Sequence, residues 1–101
     1  MDLSLDTLRA IAIPLLRPYA RRVTLFGSAA RGEAGPESDV DLLIALRAPE
    51  DRPPLGLRFF ALEQELGDRL GRPVELVTEA ALSRHVRPFV ERDAVVLYEE
   101  R

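Results

Sequence analysis

Leu25-Phe26-Gly27-Ser28, followed after ten intervening residues by Asp39-Val40-Asp41, is the stretch on which the fold of this chain turns. Val23-Thr24-Leu25-Phe26 reads as a short strand, within a segment from Arg22 to Phe26, and Gly27 ends it. A glycine there lets the backbone turn tightly and approach another group closely. Asp39 to Leu46 reads as a second strand, with Val40 and Leu42 turned to one side and Asp39 and Asp41 to the other, because residues i and i+2 of a strand share a face.

Two aspartates facing the same way at the mouth of a strand repel each other unless a cation lies between them. Aspartate is disfavoured inside strands, so two of them call for a reason. Their hard oxygen donors suit Mg²⁺ or Mn²⁺, ions that keep coordination positions for substrate phosphates. Ser28 stands where a helix could begin, with Ala29-Ala30-Arg31 continuing it for about a turn, and a helix start presents backbone N–H groups to an anion. The plainer readings are a serine N-cap at Ser28 and a solvated turn at Ser38-Asp39. Glu75, inside the apolar strand Val74-Glu75-Leu76-Val77, is the candidate third carboxylate; the alternative is a surface glutamate on the solvent side of that strand.

Working outward, Leu3 to Tyr19 has a helical spacing of apolar residues, with Pro14 expected to kink or divide it. Ala48 to Pro54 reads as an exposed loop. Leu57 to Leu70 reads as a helix with Phe59, Leu62, Leu66 and Leu70 on one stripe and Gly71 ending it. Pro73 to Thr78 is a third strand, Ala80 to Arg92 a helix with a break before Pro88, and Ala94 to Tyr98 a last strand. The expectation is an α/β (α+β) layer structure: a small mixed sheet of about four strands with helices packed on it.

Composition narrows the classes. The 101 residues fit a single domain, residues 1–101, and 47% apolar content is enough for a core. No apolar run approaches the ~20 residues that span a bilayer, and the start Met1-Asp2-Leu3-Ser4 is unlike a signal peptide, so a cytoplasmic location is expected. There is no cysteine, which excludes disulfides and thiolate metal sites. All fourteen basic residues are arginine, yet the net charge of −3 argues against direct nucleic-acid binding over a broad face. No Gly-rich loop ends in Lys-Ser/Thr, so the P-loop route is closed. His85, the only histidine, has no ligand partner at a suitable spacing and reads as a surface residue.

Gly27-Ser28, Arg31-Gly32 and Ser38-Asp39-Val40-Asp41-Leu42 together resemble the signature of the DNA polymerase beta-type nucleotidyltransferase superfamily, and the small size resembles its minimal nucleotidyltransferase branch. The resemblance covers about Val23 to Thr78. It implies a polymerase beta palm-like core in which Gly27, Ser28, Arg31 and Ser38 contact the nucleotide, and Asp39, Asp41 and Glu75 are catalytic residues and ligands of Mg²⁺. The family usually carries aspartate where this chain has Glu75. Arg31 has a second reading, as a surface residue paired with Glu33 or Glu37.

By the same resemblance, ATP is the donor, and the acceptor is a tyrosine of a helical HEPN-type toxin that is modified with AMP, which makes this chain an antitoxin. No segment after the third strand is expected to form an acceptor platform, so a partner or a second subunit should supply it, in a homo- or hetero-oligomer. The alternative is a nucleotide-binding antitoxin, weak or inactive in catalysis, that neutralises its partner by direct contact. A free-standing transferase acting on a small molecule is disfavoured by the lack of a second lobe.

Overall fold

The computed structural model describes residues 4–32, 39–82, 84–85 and 87–100. Helix α1 (Leu5–Leu16) opens on Ser4, whose hydroxyl accepts the N–H of Thr7 at 3.0 Å, a side-chain cap. Leu8, Ala12 and Leu16, four residues apart, form its buried stripe. The helix is not divided at Pro14. Proline leaves the carbonyl four residues earlier without its donor, and Ala10 and Pro14 both lie on the exposed side, where water can serve instead.

Strands β1 (Ala20–Phe26) and β2 (Val40–Leu46) pair antiparallel. Helix α2 (Arg58–Leu70) then crosses over to β3 (Val74–Thr78), which lies parallel to β2. The switch from helix to strand is made by Gly71, left-handed at φ 68°, a backbone region that favours glycine. A 3₁₀ turn (Pro49–Asp51) occupies the proline-rich loop. After β3 the expected helix over Ala80–Arg92 is replaced by a 3₁₀ turn (Glu79–Ala81) and a short helix α3 (Arg87–Asp93). Pro88 sits in the first turn of α3, where a missing N–H does no harm, which is why the helix begins there and not earlier. Strand β4 (Val95–Glu99) pairs antiparallel with β1. The sheet order is β3-β2-β1-β4, four strands as the sequence predicts.

Helices α1 and α2 cover one face. Leu8, Leu16, Leu62 and Leu66 pack there with Val23, Leu25, Val40, Leu42 and Ile44 in one core. The opposite face is partly covered as well. Leu43 and Ala45 of β2 and Thr24 of β1 are buried there, where the Glu79–Ala81 turn packs against β2 and α3 against β1. Burial on both faces explains why β2 reads Leu42-Leu43-Ile44-Ala45 without alternation. Among the described residues no helix is long and apolar enough to cross a membrane.

Candidate functional site

The site lies on the partly covered face, at the end of β2 where the strand begins. Register puts it there. Phe26, the last residue of β1, pairs with Asp41, so the chain turns at Gly27 directly beside that carboxylate. Gly27 is left-handed at φ 77°, and a β-carbon there would collide with Asp41 Oδ2 and stand 3.3 Å from its Cγ. The conformation therefore favours glycine, and a side chain there would have to push the Asp41 carboxylate aside.

Residues 28–32 form hydrogen-bonded turns, not the helix start expected at Ser28. The Gly27 carbonyl accepts the N–H groups of Ala30 at 3.1 Å and Arg31 at 3.3 Å, and Gly32, at φ 72°, donates to Ala29 O at 3.3 Å. Two of the N–H groups a helix start would have offered to an anion are thus directed back into the turn. Ser28 is half-buried at its start.

Across the sheet, Asp41 pairs with Glu75 in the parallel β2–β3 register, which sets both carboxyl groups on one face. Asp41 is half-buried and Glu75 exposed. Burial raises the Asp41 carboxyl above its ordinary range. The Glu75 charge, the hydrogen bond with Glu75 and the Asp39 charge push it further in the same direction. Asp39 lies one residue ahead of β2, exposed, and close enough for its charge to be felt at Asp41. Among the described residues no three acidic or histidine side chains are gathered tightly enough to hold a metal ion by themselves. An oxygen-only donor set with uncompensated repulsion nevertheless fits a hard divalent cation, which binds through one or two carboxylates and completes its shell with water and substrate phosphates.

Ser38 lies outside the described residues, as do Glu33 and Glu37, the expected partners of Arg31. Among the described residues, Arg31 Nη1 stands 3.8 Å from Asp93 Oδ2, at the end of α3. The sequence reading missed this pairing, and it missed Glu79, whose carboxylate pairs with Arg22. No spacing signal could have found either one, because each joins residues more than fifty positions apart. His85 is exposed in the turn before α3.

A profile described as the nucleotidyltransferase domain matches residues 15–98. Protein adenylyltransferase MntA of Thermococcus cleftensis is 40% identical over 75 residues, covering 74% of this chain and 72% of that protein. A solved structure provisionally assigned as a minimal nucleotidyltransferase is 39% identical with a TM-score of 0.70, covering 92% of this chain and 95% of its own. The fold also matches a chain in the structure of a tri-AMPylated HEPN toxin of Shewanella oneidensis in complex with MNT antitoxin (TM-score 0.62, 23% identity, 95% of this chain and 73% of that one). The profile runs through the Gly27 turn, the Asp41–Glu75 pair and α3 alike, and over that span the chain belongs to the nucleotidyltransferase domain family as a minimal nucleotidyltransferase.

Proposed function

We propose that this nucleotidyltransferase is a Mg²⁺-dependent protein adenylyltransferase, which transfers AMP from ATP to a tyrosine hydroxyl of a HEPN-type toxin in the cytoplasm and so acts as its antitoxin. The observation that carries the reading is the carboxylate pair Asp41–Glu75 set beside a turn whose left-handed backbone favours glycine. The 40% identity to a protein named as a protein adenylyltransferase supports AMP as the group transferred.

Asp39, Asp41 and Glu75 would hold the metal, with Mn²⁺ as the other candidate. When bound, the metal supplies positive charge that neutralises the phosphate oxygens as charge shifts among them. Gly27 lets the backbone come close to the triphosphate, and the Ser28 hydroxyl, Ser38 and Arg31 donate to its oxygens. The tyrosine oxygen forms a bond to the α-phosphorus while the bond from that phosphorus to the bridging oxygen of the β-phosphate breaks, releasing pyrophosphate. The hydroxyl proton passes to Glu75, the exposed carboxylate of the pair. Catalysis is then chiefly positioning and electrostatics.

The test is intact-protein mass spectrometry of this chain with its cognate toxin, ATP and Mg²⁺, beside an Asp39→Asn/Asp41→Asn control. Whole AMP units gained by the toxin, and absent in the control, are the expected result. No gain, with the toxin still bound and neutralised, would establish the direct-binding antitoxin in its place. The exposure of Glu75 and its extra methylene would then be the first features to examine.

A further inference from the structure

Helix α3 is tied down at both ends. At its start, Arg87 Nη2 donates to the Glu79 carbonyl at 2.8 Å, and the Glu79 carboxylate pairs with Arg22 of β1. At its end, Asp93 faces Arg31 at 3.8 Å. Arg31 is itself tied to the site, because its backbone N–H donates to Gly27 O, and Gly27 abuts Asp41. One line of contacts thus runs from α3 through Asp93, Arg31 and Gly27 to the carboxylate face.

An arginine side chain has many rotamers, and ordering one around an anion reduces affinity unless it is ordered beforehand. Arg31 is partly exposed, its side chain retaining 41% of its accessible surface, so it can reach a ligand at the turn. A guanidinium carries five donors in a rigid fork, so it can meet a carboxylate and a phosphate at the same time.

We propose that Asp93 is a positioning residue for nucleotide binding: it holds the Arg31 guanidinium beside the Gly27–Gly32 turn, pre-ordered for the triphosphate. The proposal rests on the reading of Arg31 as a triphosphate ligand. It makes a prediction of sign. Removing a negative charge near an anion site strengthens anion binding through the field alone. Loss of a positioning residue weakens it.

The experiment is calorimetric titration of the full chain with AMP-PNP and Mg²⁺, for the parent, Asp93→Asn, Asp93→Glu, Arg31→Gln and the Asp93→Asn/Arg31→Gln double variant. We expect Asp93→Asn to weaken binding roughly 2- to 5-fold, the range of a partly exposed ion pair. Asp93→Glu should restore part of the loss, and the double variant should bind no more weakly than Arg31→Gln alone. The double variant guards against a folding defect, which would add to the Arg31→Gln loss instead of disappearing within it. Binding by Asp93→Asn equal to or tighter than the parent would overturn the proposal. Parent-like binding by Arg31→Gln would remove the reading beneath it, and failure of the parent to bind AMP-PNP would count against the proposed function itself.

Discussion

Asp41 stands beside Glu75 across the parallel β2–β3 pair, with both carboxyl groups on one face of the sheet. Like charges at that separation are relieved by a proton or by a cation. The protein thus holds at its site an electrostatic tension that a substrate-bound metal would discharge.

That tension should make Asp41→Asn stabilising, while on the proposed function the same change removes a metal ligand. The Asp41 carboxyl is raised above its ordinary range, first by burial and then by Glu75 and Asp39. A raised carboxyl disfavours the folded state wherever it must ionise. The penalty is absent below the unfolded-state value, builds as pH rises through the raised folded-state value and is full above it. Asp41→Asn removes that penalty, so its melting temperature should exceed the parent's at neutral pH, with the gap closing as pH is lowered through the acid range. AMP transfer by the variant should be lost. A melting temperature below the parent's at neutral pH would show that Asp41 is held by favourable contacts instead.

Gly27→Ala tests the turn. Alanine at φ 77° carries strain of about 1–3 kcal/mol, and its β-carbon also meets Asp41. We expect a melting temperature lower by roughly 10 °C for a chain of this length, with AMP-PNP binding reduced beyond detection. Nucleotide binding at the parent level in the folded variant would remove the turn from the site.

The strands were legible because β1, β2 and β3 carry short apolar runs bounded by Gly27, Pro73 and the polar segments between them. Asp41 and Glu75 were legible for the same reason: a charge set within such a run must face out of the core. The helix over Ala80–Arg92 was misread because Ala80-Ala81-Leu82 carries helical propensity, while the chain there is held by Thr78 Oγ1, which accepts the Ala81 N–H, and by the Arg22–Glu79 pair. A tertiary contact such as Arg22–Glu79 leaves no periodic trace. Arg31 shows the same limit: the fold brings up Asp93, sixty-two positions along the chain, while Glu33 and Glu37, the partners that local spacing offers, lie outside the described residues.

Glu75 separates catalysis from folding. It is exposed on an edge strand, so Glu75→Ala should shift stability by no more than about 0.5 kcal/mol. Loss of a general base should lower AMP transfer by roughly 10²-fold or more, with AMP-PNP binding retained. Glu75→Asp should keep the transfer reaction, since it preserves a carboxylate on the same face. Transfer at the parent rate by Glu75→Ala in a single-turnover assay would reassign the base.

The strand that bears Glu75 is an edge, and edges left open invite pairing with other chains. Glu63 of α2 closes it: its Oε2 accepts the Leu76 N–H at 2.9 Å, in the middle of β3. On the far edge Arg9 Nε donates to the Leu97 carbonyl at 3.3 Å, so a side chain from each of the two longer helices meets an outer strand. Glu63→Ala removes an acceptor from a part-buried donor and should lower stability by about 1–2 kcal/mol, several degrees in melting temperature. It also frees a strand edge, so light scattering should show self-association that grows with concentration. Glu63→Gln keeps an acceptor oxygen at the same reach and should stay close to the parent in both measurements. If Glu63→Ala melts with the parent and stays monodisperse, the bond is not what holds β3 in register beneath Glu75, and the α2–β3 packing through Leu66 and Leu76 carries that task alone.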